Sequence, residues 1–69
     1  MKNHVRHLRE ARGWSQAELA QHLAVSRQTI HAIETGKYDP SLPLALRLAK
    51  IFQQNVTDIF IDDWEAGNL

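Results

Sequence analysis

Residues 15 to 36 read SQAELAQHLAVSRQTIHAIETG, a stretch with two helix beginnings close together. Ser15-Gln16-Ala17-Glu18 is a capping box: the serine oxygen can accept from the Glu18 backbone N–H while the glutamate reaches back to the serine N–H. Behind it Leu19, Ala20 and Leu23 recur at helical spacing and define an inward stripe that ends near His22 or Leu23. Only Ala24 and Val25 then precede Ser26, which is placed to cap a further helix. Two helices joined by so short a link cannot lie antiparallel and must cross steeply. Ala20 suits that crossing, because a larger side chain would hold the two axes apart.

The helix after Ser26 is predicted to end near Thr35-Gly36, with Ile30 and Ile33 on its buried side. Gln28 points away from that side, flanked by Thr35, His31, Arg27 and Ala32. Its front carries four consecutive polar residues, Ser26-Arg27-Gln28-Thr29, where a cap needs one or two. This excess suggests that something outside the fold meets them.

On either side the pattern predicts three more helices. Residues 4 to 12 form the first, capped by Asn3 and ended by Gly13, with Val5 and Leu8 inward and Arg9 at the edge of the buried face. Glu34 falls near Ile30 at the corresponding edge of the third helix. A mutual Arg9–Glu34 pair is the economical reading, since an unpaired partly buried charge is costly. After the loop Gly36-Lys37-Tyr38-Asp39-Pro40, Ser41 caps a fourth helix with Pro43 in its tolerant first turn and Leu44, Ala45, Leu48, Ala49 and Phe52 inward. Asn55-Val56-Thr57-Asp58 opens a short fifth helix that ends near Phe60. Phe60 and Trp64 share a face under a helical period and under a strand period, so a helical tail and a short terminal strand both stay open.

The chain of 69 residues suffices for one domain with a modest core and leaves no room for a separate sensing or catalytic domain. It lacks cysteine, so neither a disulfide framework nor a thiolate metal site is available, and a cytoplasmic location is the default. No apolar run approaches the roughly 20 residues a bilayer span needs, and MKNHVRHLRE lacks the apolar middle of a signal peptide. Net charge is zero, which taken alone argues against a polyanionic partner. The charge is unevenly spread: residues 1–50 hold every Lys and Arg and are formally +4, while residues 51–69 are −4. No catalytic constellation is apparent: Ser15 and Ser26 are read as helix caps, and no His or Asp constellation makes either a nucleophile. His4 and His7 are read as surface residues, and no metal or cofactor is expected.

From Val5 to Phe60 the words LREARGWSQAELAQHLAVSRQTIHAIETGKYDPSL, LALRLAKIF and VTDIF resemble the XRE-like helix-turn-helix family, the phage repressor and Cro class of small regulators. The resemblance implies an all-α, five-helix domain whose second and third helices form the helix-turn-helix, with the third entering the DNA major groove. It implies base contacts from Arg27, Gln28, Thr29 and His31, phosphate contacts from Gln16, Ser26, Lys37 and Tyr38, and a structural ion pair between Arg9 and Glu34. The chain departs from the family pattern at Ala24, where the turn usually contains Gly, and at Gln53, where Gly or Asn is usual.

Chemistry supports those roles. A helix N-terminus offers free amides and partial positive charge to a phosphate. Arg27 can bridge guanine O6 and N7, and Gln28 can do the same at adenine N6 and N7. The expected function is a sequence-specific, DNA-binding transcriptional regulator: a homodimeric repressor that reads a palindromic operator in double-stranded DNA. The alternative is an antitoxin-like module that neutralises a protein partner. Residues 1–60 are expected to form the DNA-binding domain. Residues 61–69 form an acidic, apolar tail, whose Ile61 and Trp64, with Phe60 just before them, are expected to supply a self-association surface.

Overall fold

Serine hydroxyls set three of the helix starts. The computed structural model describes residues 1–68 and contains α1 (Val5–Ala11), α2 (Gln16–Leu23), α3 (Arg27–Glu34), α4 (Leu42–Phe52) and α5 (Val56–Ile59). The oxygens of Ser15, Ser26 and Ser41 accept from the backbone N–H three residues on, at 3.0, 3.1 and 3.3 Å. At α2 the box is closed, since the Ser15 N–H donates to Glu18 Oε1 at 3.1 Å. The first helix starts one residue later than the pattern implied. His4 occupies its N-cap position without a side-chain bond, and Asn3 does the capping from outside, its Oδ1 accepting from the Val5 N–H at 3.1 Å. The same Asn3 side chain donates to the Ile33 carbonyl at 2.8 Å and so ties the start of α1 to the end of α3.

The α2–α3 link is tight enough to force Ala24 into the left-handed region, with φ 57° and ψ 43°. There the Val25 N–H reaches back to the Ala20 carbonyl at 3.0 Å. Gln53 does the same at the end of α4, with φ 53°. A left-handed residue with a Cβ costs roughly 1–2 kcal/mol relative to right-handed backbone. Both turns bear that strain, and the core must outweigh it. That core is one cluster: Val5 from α1, Leu19 and Leu23 from α2, Ile30 and Ile33 from α3, Leu48 and Phe52 from α4, and Ile59 from α5. Each such aliphatic or aromatic side chain contributes roughly 1.5–3 kcal/mol when fully buried. Ala20 is 3% exposed at the α2–α3 contact, which keeps the two axes close.

Past α5 the chain doubles back along its own beginning. The His4 N–H donates to the Ile59 carbonyl at 2.8 Å and the Ile61 N–H to the Lys2 carbonyl at 2.9 Å, an isolated antiparallel bridge centred on Asn3 and Phe60. Among the described residues no strand forms beyond this bridge, and a single 3-10 turn follows at Ala66–Asn68. The bridge corrects one grouping made from sequence. Phe60, placed with Ile61 and Trp64 on a self-association surface, is 6% exposed and belongs to the core of its own chain. Ile61 and Trp64 are exposed.

Candidate nucleic-acid interface

The outward side of α3 is polar along its length. Arg27, Gln28, His31 and Thr35 are all exposed, while Ile30 and Ile33 on the opposite side are fully buried. Arg27, His31 and Thr35 succeed one another at intervals of four and therefore line one edge of the helix, with Gln28 beside them. Ser26 and Thr29 share a hydrogen bond of 2.9 Å between their hydroxyls, and Thr29 is half-buried, so these two side chains are engaged with the helix start itself. Thr35 donates back to the His31 carbonyl at 3.0 Å. The guanidinium of Arg27 and the carboxamide of Gln28 project from the amino end.

What aims that helix is a buried polar network spanning three helices. Glu34 accepts from Arg9 Nε at 2.7 Å and Nη2 at 3.2 Å, and from Gln16 Nε2 at 3.0 Å. Arg9 donates its remaining Nη1 to the Trp14 carbonyl at 2.8 Å. The two charged side chains are 10% and 3% exposed, and no buried side-chain N or O among the described residues lacks a partner. Hydrogen bonding to Glu34 raises the Arg9 pKa above the usual guanidinium value, against the opposing effect of burial. A buried polar network satisfied at every member favours one relative placement of its helices.

Gln16 sits differently from the phosphate-binding role that the resemblance implied. Its amide nitrogen turns inward to Glu34 and lies 3.4 Å from His31 Nδ1. At the start of α2 the Glu18 N–H is taken by Ser15, and the N–H groups of Gln16 and Ala17 precede the first intrahelical bond, as at any helix N-terminus. Lys37 and Tyr38 are exposed in the loop after α3, where their N–H groups both bond the Ala32 carbonyl, at 3.0 and 3.2 Å. Gly36 precedes them at φ 76°, a conformation open to glycine at little cost.

One residue of this face was missed from sequence. Arg6 of α1 lines a cleft of about 340 Å³ together with Arg9, Gln16, Arg27, His31 and Glu34. The available signal was its spacing: Arg6 lies three residues before Arg9, on the same side of α1. Among the described residues no cluster of His, Asp or Glu is arranged to hold a metal ion, and no helix is long and apolar enough to cross a membrane.

A family model described as a helix-turn-helix domain matches residues 3–58. The chain belongs to the helix-turn-helix family. It is 54% identical over 61 residues to an uncharacterized HTH-type transcriptional regulator of Methanocaldococcus jannaschii, covering 88% of this chain and 92% of that one. It is 48% identical over 60 residues to the uncharacterized HTH-type transcriptional regulator YgzD of Bacillus subtilis, covering 87% and 91%. Among solved structures it is similar to the restriction-modification controller protein C.AhdI from Aeromonas hydrophila, with TM-score 0.72 and 32% identity over 81% of this chain and 85% of that one. The XRE-like resemblance and the five-helix fold agree with these likenesses. This helix-turn-helix protein is thus a DNA-binding transcriptional regulator by family, and its relatives are named as regulators rather than as enzymes or antitoxins.

Proposed function

We propose that this helix-turn-helix regulator is a cytoplasmic repressor that binds a palindromic operator as a homodimer and acts by occupying that site. One observation carries the reading: Arg27 and Gln28 are both exposed at the amino end of α3. Arg27, Gln28 and His31, with Thr29 behind them, enter the major groove and read base edges. Backbone phosphates are held by Ser26 and the loop residues Lys37 and Tyr38, and at the start of α2 by the backbone N–H groups beside Gln16.

Residues 1–60 do the binding, and the segment from residue 61 onward joins two copies through Ile61 and Trp64, Leu69 lying outside the described residues. The small size of the reading surface supports two-fold pairing. One short helix contacts few base pairs, and dimers of this motif bind half-sites about one helical turn apart.

In vitro selection of bound duplexes tests the proposal. Enrichment of an inverted repeat with half-sites about 10 base pairs apart supports it. Binding without sequence enrichment, or an asymmetric single site bound by a monomer, overturns it.

A further inference from the structure

The cleft between α1, the start of α2 and α3 contains more positive charge than its neighbours neutralise. At its floor Arg9 and Glu34 cancel one another in the buried pair. At its rim stand Arg6 from α1 and Arg27 and His31 from α3, with Gln16 between. The acid nearest Arg6 outside the cleft is Glu10, one turn along α1, at 3.4 Å from Nε. Both members of that pair are well exposed, at 72% and 57%, so the contact is weak and easily exchanged. Arg6 is thus a long, solvated cation on the edge of the face from which Arg27 projects, and no buried contact holds it back.

We infer that Arg6 is a phosphate-binding residue that clamps a DNA backbone phosphate into this cleft, beside the base pairs that Arg27 and His31 meet. This rests on the DNA-binding reading above and assigns α1 a part in it that the helix-turn-helix alone lacks. The occupant is a phosphodiester oxygen pair, which a guanidinium grips in bidentate fashion. The Arg9–Glu34 pair keeps its own hydrogen bonds throughout. Because phosphate contacts carry no sequence information, Arg6 strengthens binding and fixes the approach of α3 while leaving base preference alone.

The test is the salt dependence of binding, measured by fluorescence anisotropy on a selected duplex and on a random one, with wild type, Arg6→Gln, Arg6→Lys, Glu10→Gln and Lys50→Ala. Lys50 serves as comparator because it lines a separate hollow with Leu46, Gln53 and Asp58. Each phosphate contact contributes about 0.9 to the slope of log K against log salt. Arg6→Gln is therefore expected to flatten the slope by about 0.9 per bound subunit, a roughly 3.5-fold smaller loss of affinity over a fourfold rise in salt. It should weaken both duplexes equally and leave the melting temperature unchanged, since the side chain is exposed. Arg6→Lys should restore the slope, and Glu10→Gln should tighten binding by removing a competitor. An unchanged slope for Arg6→Gln, or an equal change for Lys50→Ala, overturns the assignment while the DNA-binding reading survives. A wild type that binds no duplex at any salt overturns both.

Discussion

Glu34→Ala would leave the Arg9 guanidinium buried without its counter-charge. Arg9 is 9% exposed and would lose two hydrogen bonds, at 2.7 and 3.2 Å, keeping only the bond to the Trp14 carbonyl. Gln16 would lose its acceptor at 3.0 Å as well. Breaking one side of a buried pair costs about 3–5 kcal/mol. The whole stability of a domain of this size is about 3–10 kcal/mol, at roughly 0.05–0.15 per residue. Glu34→Ala should therefore remove about a third or more of the protein's stability at 25 °C. Replacing both partners, as Arg9→Met with Glu34→Leu, removes the desolvation problem together with the charges and should restore stability to near wild type.

Urea unfolding of the two single variants, the double variant and wild type gives the coupling directly. The expected result is a strong interaction, with each single variant far less stable than the pair. A loss below about 1 kcal/mol for Glu34→Ala is the size typical of exposed ion pairs. It would show that water reaches the pair and that the network does not lock α3 to α1. The stabilisation should be steady with pH on the arginine side. A raised folded-state pKa means that stability is present below the unfolded value and lost only as pH climbs through the folded one, and hydrogen bonding to Glu34 raises that of Arg9 further beyond the pH range in which proteins are handled.

Two further outcomes are expected. Ala24→Gly relieves a left-handed alanine at φ 57° while adding freedom to the unfolded chain, a net gain of about 0.5–1 kcal/mol. A thermal melt should rise by a few degrees, whereas Ala24→Val should lower it, and a fall on Ala24→Gly would mean the turn is unstrained. Combined Ile61→Ser and Trp64→Ser removes exposed apolar surface from the tail. The proposed dimer should dissociate in sedimentation equilibrium with helical content kept, and an unaltered mass would show that Ile61 and Trp64 do not join two copies.

What could be seen in the sequence was what local chemistry governs. Ser15, Ser26 and Ser41 announce helix starts because the cap acts within three residues, and the short Ala24-Val25 link dictates a steep crossing whatever surrounds it. Phe60 was ambiguous for the opposite reason. Its two candidate periods coincide, and its place is settled by a bridge to Asn3 at the other end of the chain. Gln16 belongs to the same class: whether its carboxamide faces outward or toward Glu34 depends on how α2 crosses α3, which no spacing records. The spacing of Arg6 before Arg9 put the two on one side of α1, but only the packing of α1 beside α3 brings Arg6 to the cleft that Arg27 lines. The Arg9–Glu34 contact could be anticipated because each charge fell on the edge of a buried stripe.

The central claim is that the exposed amino end of α3 recognises DNA sequence. The most direct measurement compares wild type, Arg27→Ala and Gln28→Ala for binding to the selected duplex and to duplexes substituted one base pair at a time. Each variant should keep its fold and its affinity for random DNA, yet lose about 1–3 kcal/mol of discrimination at one or two positions per half-site. Both variants retaining the full wild-type preference at every position would contradict the account.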